Sequence, residues 1–176
     1  FKRNPYGMHP LITSHQNPRV KQVRHLRDKA SREQAGRFLI DSLREFERAL
    51  ASGYELDYVL VSPSVLRGEL PDIPDRAIFH VPPDVLDKVA YRENPEGMVA
   101  VMKSPSVKGV SQLAKVADAP ILGMVSLTKP GNIGALLRTA DAAGFNTVFL
   151  IDSRLDLYNP NVIRSSTGAV FLGNIY

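Results

Sequence analysis

Lys129-Pro130-Gly131-Asn132-Ile133-Gly134-Ala135-Leu136-Leu137-Arg138-Thr139-Ala140 is the stretch on which the reading of this chain turns. It follows Ile121-Leu122-Gly123-Met124-Val125-Ser126-Leu127, an apolar run whose length and branched residues predict a buried strand of a parallel sheet. Pro130-Gly131 predicts a type II turn, since proline presets the first central residue and glycine tolerates the positive φ of the second. Asn132 then falls at the helix cap. In the helix, Ile133, Leu136, Leu137 and Ala140 share one face for packing on the sheet, and Arg138 lies off it, directed out of the core. Gly144 ends the helix, and residues 146–151 read as the next parallel strand.

An arginine off the apolar face is ordinarily a solvated side chain, and a lone asparagine at that position only a cap. Turn, cap and arginine together carry more, because open α/β sheets bind ligands at the carboxyl ends of their strands. Two nucleotide motifs are excluded. The loop lacks the Gly-Lys-Ser/Thr ending of a P-loop and the three glycines of a dinucleotide fingerprint.

A second element follows, Asp156-Leu157-Tyr158-Asn159-Pro160-Asn161-Val162-Ile163-Arg164-Ser165-Ser166-Thr167-Gly168-Ala169. Asn159 and Pro160 predict a cap and first helical residue, and Gly168 closes a short helix before the apolar run 169–172. Ser166 falls on the apolar side with Val162 and Ile163. A serine there either bonds its own helix backbone or serves a site.

Composition narrows the function class. The 176 residues are 44% hydrophobic with no long apolar run, which predicts a globular chain without a membrane span. Cysteine is absent, so thiolate metal sites, disulfides and cysteine nucleophiles are excluded. His9, His15, His25 and His80 lack ligand spacing, and no metal is expected. No secretory signal is visible, and the expected compartment is cytoplasmic. The charge is uneven: residues 1–37 hold nine Lys/Arg against two Asp/Glu, a net +7, while the remainder holds 13 against 16, a net −3. Arg19, Lys21, Arg24, Arg27 and Lys29 alternate with Val20, Val23 and Leu26, so this amphipathic segment is either a solvated helix face or a row of phosphate contacts.

The middle of the chain alternates: a helix over 42–52, strands over 58–61 and 78–81, a helix over 83–90 and a strand over 98–102, with a weak helix over 111–116 after a Pro- and Gly-bearing linker. The expected division is 1–103 as one domain, 104–119 as linker and 120–176 as the start of another.

The two elements together resemble the SpoU, or TrmH-like, family of the SPOUT superfamily of RNA methyltransferases. Asn132, Gly134 and Arg138 match its first motif; Asn159, Pro160, Val162, Ile163, Arg164, Ser166, Gly168 and Ala169 match its second. More loosely, residues 12–21, 37–42 and 94–101 resemble a small α/β substrate-binding domain similar to ribosomal proteins that bind kinked RNA. The implied fold is α/β: that N-terminal domain followed by the first half of an α/β-knot methyltransferase domain with a parallel sheet. Lys129 departs from the pattern, since many members carry an acidic residue there.

The resemblance implies methyl transfer from S-adenosyl-L-methionine to a ribose 2′-hydroxyl, with ribosomal RNA as the expected substrate because relatives with the N-terminal domain act on large RNA. Asn132, Arg138 and Ser166 are the implied catalytic residues, and Arg19, Lys21, Arg24, Arg27, Lys129 and Arg164 the implied RNA contacts. The family works as a homodimer with its groove across the interface and its cofactor in a trefoil knot. The third motif, which supplies most cofactor-binding residues, is expected beyond Tyr176, so the chain reads as a fragment that is inactive alone. The alternative is a non-catalytic RNA-binding module that retains the first two motifs.

Overall fold

The computed structural model describes residues 8–91, 95–106, 120–151 and 156–176. The predicted helix over 111–116 and most of the expected linker lie outside these residues.

The chain begins with two short helices, α1 (Pro18–His25) and α2 (Lys29–Ala35). Asn17 caps α1 by accepting the Arg19 amide at 2.9 Å, and Asp28 caps α2 by accepting the Ser31 amide at 3.0 Å. That cap holds the Asp28 carboxyl below its ordinary range. The basic segment is therefore broken in two at Asp28, because its own carboxylate starts a second helix there.

A four-stranded sheet follows, built from β1 (Arg37–Ile40), β2 (Leu56–Val61), β3 (Ile78–His80) and β4 (Met98–Lys103) in the order β1-β4-β2-β3. β4 inserts antiparallel between β1 and β2, and β3 pairs parallel with β2. Alternate residues fill two cores. Leu39, Tyr58, Leu60, Val99 and Val101 face α1 and α4 (Pro83–Val89), and Phe38, Ile40, Val59, Val61, Met98, Ala100 and Met102 face α3 (Leu43–Ala51). α3 has no cap from Ser42. The Glu96 carboxylate instead accepts the Leu43 amide at 2.8 Å, from the turn before β4.

The second unit is a three-stranded parallel sheet, β5 (Ile121–Val125), β6 (Thr147–Ile151) and β7 (Asn174–Ile175), in that order. α5 (Pro130–Ala142) connects β5 to β6, and α6 (Pro160–Ser165) with a 3-10 turn (Ala169–Phe171) connects β6 to β7. Met124 and Val148 on one sheet face join Ile133, Leu137, Val162, Ile163 and Phe171 in the same continuous core as Phe38 and Phe46. The two units thus share a hydrophobic core. On the other face, Ile121, Val125 and Ile151 are exposed, by 45%, 60% and 49%.

Two local predictions fail. The helix begins at Pro130, not after Asn132, and Gly131 has no positive φ. Proline's fixed φ is already helical and its missing N–H is one that a first turn leaves unpaired anyway, so Pro130 takes the first helical position and the type II turn does not form. Asn132 consequently sits inside the first turn, with its backbone amide bonded to the Lys129 carbonyl at 3.1 Å. Leu136 is also off the packed face, 39% exposed, whereas Gly134 is buried. The reason is the neighbour: α5 rests chiefly on α6 and the 3-10 turn.

Candidate functional site

At the carboxyl end of β5 the chain leaves the sheet through Ser126, whose φ of 51° is in the left-handed region and whose amide extends the parallel ladder to the Ile151 carbonyl at 3.0 Å. Lys129 then precedes α5, exposed and without a side-chain capping bond. This corner places Lys129 and Asn132 at the helix start and Arg138 about two turns further on, all exposed to solvent. Among the described residues the Arg138 guanidinium makes no ion pair or hydrogen bond.

Gly134 ties the two motifs together. A Cβ added there would lie 1.8 Å from Ser165 Oγ and 2.7 Å from the Ser166 backbone nitrogen, so only glycine lets α5 cross α6 at this distance. Ser165 completes the contact: its hydroxyl donates to the Asn161 carbonyl at 2.6 Å and lies 3.4 Å from the Pro130 carbonyl at the start of α5. Sequence reading missed Ser165. Adjacent serines look alike in the pattern, and only the crossing of the helices distinguishes them.

Ser166 takes the backbone alternative. It is fully buried, its hydroxyl donates to the Ile163 carbonyl at 3.0 Å, and its Oγ accepts the Val170 amide at 3.4 Å. It reaches neither Asn132 nor Arg138 by a hydrogen bond. Its place is to join the end of α6 to the 3-10 turn. α6 itself begins as predicted, with Asn159 Oδ1 accepting the Asn161 amide at 2.9 Å and Pro160 as first residue.

The second motif is also held from the N-terminal unit. Arg48 on α3 donates to the Thr167 carbonyl at 3.0 Å, and Asn161 Nδ2 donates to the Tyr91 hydroxyl at 2.9 Å. Phe38 stacks on Tyr158 at 4.5 Å, and Tyr54 meets Phe171 edge-on at 5.0 Å. Burial pushes the Tyr158 and Tyr54 hydroxyls above the ordinary phenol range. Arg164 is exposed and borders a narrow cleft with Asp41, Glu45 and Tyr91. That places it toward the N-terminal unit.

The basic segment divides by function. Val20, Val23 and Leu26 are buried, as the alternation predicts. Arg19 lies over the Phe79 ring, 4.0 Å from its centroid, and Arg27 donates to the Ala90 carbonyl, so both help dock α1. Lys21 and Arg24 are exposed and, among the described residues, make no side-chain bond or ion pair. Beside them a groove of about 720 Å³ is lined by Gln22, His25, Gln34, Arg37 and Tyr58 among others.

The two units match two family models. Residues 17–100 match the MRM3-like substrate binding domain, and residues 119–176 match the SpoU rRNA Methylase family. The chain is 31% identical over 162 residues to the 23S rRNA (guanosine(2553)-2'-O)-methyltransferase RlmP of Bacillus subtilis, covering 91% of this chain and 62% of RlmP. It superposes on a crystal structure of an RNA 2'-O ribose methyltransferase with a TM-score of 0.76 and 40% identity, over 94% of this chain and 64% of that one. It also superposes on the SpoU methyltransferase AviRb of Streptomyces viridochromogenes, crystallised with the cofactor AdoMet, with a TM-score of 0.72 and 25% identity, over 91% of this chain and 62% of AviRb. The chain therefore spans a little over three fifths of the length of these relatives. Residues 119–176 are thus a domain of the SpoU rRNA Methylase family, preceded over residues 17–100 by an MRM3-like substrate binding domain.

Proposed function

We propose that this chain is the RNA-facing part of an S-adenosylmethionine-dependent ribose 2′-O-methyltransferase acting on ribosomal RNA. Residues 1–103 hold the RNA and residues 120–176 begin the methyl-transfer domain. The observation that carries the reading is the α5–α6 interlock at Gly134, which fixes the helix that starts at the carboxyl end of β5 and presents Arg138 to solvent about two turns along it. The names of RlmP and AviRb, and the AdoMet bound to AviRb, support the reaction class.

The described residues do not by themselves form a site for the methyl donor. The large cavity that touches the second unit, about 700 Å³, is lined by Tyr54, Tyr158 and residues 171–175 and includes neither Asn132 nor Arg138. What the chain's own residues do is electrostatic. A ribose hydroxyl is a weak nucleophile at neutral pH, and Arg138, effectively always protonated and exposed, acts by stabilising negative charge on its oxygen while the proton passes to solvent water. The guanidinium fork can grip an adjacent phosphate at the same time. Lys129 and Asn132, at the start of the same helix, line the path of the RNA backbone. Lys21 and Arg24 add phosphate contacts at the other unit. The active form is a homodimer, a state that sedimentation of the full natural chain measures directly, and its compartment is the cytoplasm.

The test is methyl transfer from labelled S-adenosylmethionine to ribosomal RNA by the full natural chain, with the 2′-O-methyl position mapped. Arg138→Ala is expected to lower turnover by about 10² to 10³ without unfolding the protein. Arg138→Lys keeps the charge but not the fork, and unchanged turnover there would remove the bidentate role. One observation favours the non-catalytic reading: the Ser166 hydroxyl, implied by the resemblance as catalytic, is occupied by backbone. Calorimetry on the full chain decides, because a protein that binds RNA but not S-adenosylmethionine is the binding module.

A further inference from the structure

Arg32 is 4% exposed, although it lies on a short helix of an otherwise basic and solvated segment. Its Nη1 donates to the Leu26 and Arg27 carbonyls, both at 2.7 Å, which lie at and just past the carboxyl cap of α1. Its Nη2 donates to the Asp156 carboxylate, 124 residues away. Its Nε has no hydrogen-bond partner among the described residues. One guanidinium thus clasps the helix bearing Lys21 and Arg24 and the segment that enters the second motif.

Asp156 is one turn from the rest of that motif. Its carbonyl accepts the Asn159 amide at 3.1 Å, and Asn159 caps α6. α6 in turn sets Ser165 and Ser166 against Gly134, one helical turn before Arg138 on α5. The contacts are continuous from the exposed cations of α1 to the candidate arginine. A buried ion pair is a poor device for stability alone, because desolvation offsets the attraction and an apolar pair of similar volume holds as well.

We propose that Arg32 and Asp156 are positioning residues that couple RNA held at α1 to the placement of α6, and through it of Arg138. The inference rests on the methyltransferase reading. Arg32 touches neither RNA nor reacting atoms; it sets the register between the surface that holds the substrate and the helix pair that acts on it.

The experiment compares the full natural chain with Arg32→Met, Asp156→Leu and the double variant. The double variant leaves no buried charge unpaired and so keeps the fold where a single variant does not. Three quantities are read: RNA affinity, turnover at saturating RNA, and amide exchange over residues 156–168 with and without RNA. Unaltered protein is expected to gain protection over 156–168 on binding RNA. The double variant is expected to bind RNA within about twofold of it, lose that protection and turn over about tenfold more slowly. Arg32→Lys, which keeps the charge but not the three-way clasp, is expected to recover only part of the rate. A folded double variant with unaltered turnover and protection overturns the coupling and leaves the methyltransferase reading standing. If the unaltered chain transfers no methyl group to any RNA, that reading fails, and the exchange data alone decide: RNA-dependent protection lost in the double variant supports the coupling, and no such protection overturns it.

Discussion

The two sheets are built on opposite plans. In the N-terminal sheet every residue from Tyr58 to Val61 of β2 and from Met98 to Met102 of β4 is buried, because α1 and α4 cover one face and α3 the other. In the second sheet the face bearing Met124 and Val148 is packed, whereas Ile121, Val125 and Ile151 on the other face are exposed. Parallel sheets ordinarily bury both faces. The first sheet is thus a scaffold covered on both faces, whereas the second depends on what it leans on: α6, the 3-10 turn and, through Phe38 and Tyr158, the scaffold itself.

The sharpest way to break that contrast is Phe38→Ala. Phe38 is fully buried in the shared core and stacks on Tyr158, so its loss should destabilise the chain by about 3–5 kcal/mol and release both units together in a denaturant titration. Loss of the second unit alone, with the first unmoved, would contradict the shared core. Gly134→Ala is expected to cost about 1–3 kcal/mol, since its Cβ strikes Ser165 and the Ser166 backbone. Here the damage should stay local: amide exchange should rise in residues 130–142 and 160–171 while β2 and β4 stay protected.

Charge reversal at Lys21 and Arg24 tests the surface of the scaffold. Each should flatten the dependence of log affinity for RNA on log salt by about one unit, with the melting temperature unchanged. The same reversal at Arg19 or Arg27 should lower stability as well, because those side chains hold Phe79 and the Ala90 carbonyl. The smallest effect belongs to the open face. Val125→Thr should change stability by no more than about 0.5 kcal/mol. A loss comparable to that of Phe38→Ala would mean that something covers this face in solution.

What the sequence disclosed follows the same division between local and distant causes. Asn159 and Pro160 were legible because a cap and a first residue act within one turn. Most of the strand and helix order was legible from periodicity, and so was the buried stripe of Val20, Val23 and Leu26, but the break between α1 and α2, the 3-10 turn and β7 were not. At Pro130 two local signals compete, and the proline's helical φ prevails over the turn reading of Pro-Gly. Leu136 was misjudged and the burial of Gly134 went unread because the partner of α5 is a crossing helix, and the width and position of a buried stripe are set by that partner. The bonds of Arg27 to Ala90 and of Arg32 to Asp156 span 63 and 124 residues, and no pattern along the chain records them. Of the candidate site, the corner bearing Lys129, Asn132 and Arg138 was readable, whereas Ser165 and the true place of Ser166 needed the packing of α5 on α6.

The aromatic contact between the units has an optical consequence. The chain contains no tryptophan and six tyrosines, so its near-ultraviolet spectrum is written largely by phenol rings. Two of them, Tyr54 and Tyr158, lie at the joint with their hydroxyl oxygens 3.5 Å apart, and burial holds both above the ordinary phenol pKa. Their folded values are raised, so whatever the neutral rings contribute to stability is intact below the ordinary phenol pKa and is lost as pH rises from there through the folded values. While the joint is closed these two rings stay un-ionised above the ordinary phenol pKa; when it opens they ionise at the ordinary value and absorb as phenolate. The molecule carries a built-in chromophore for the separation of its two halves, readable without a label.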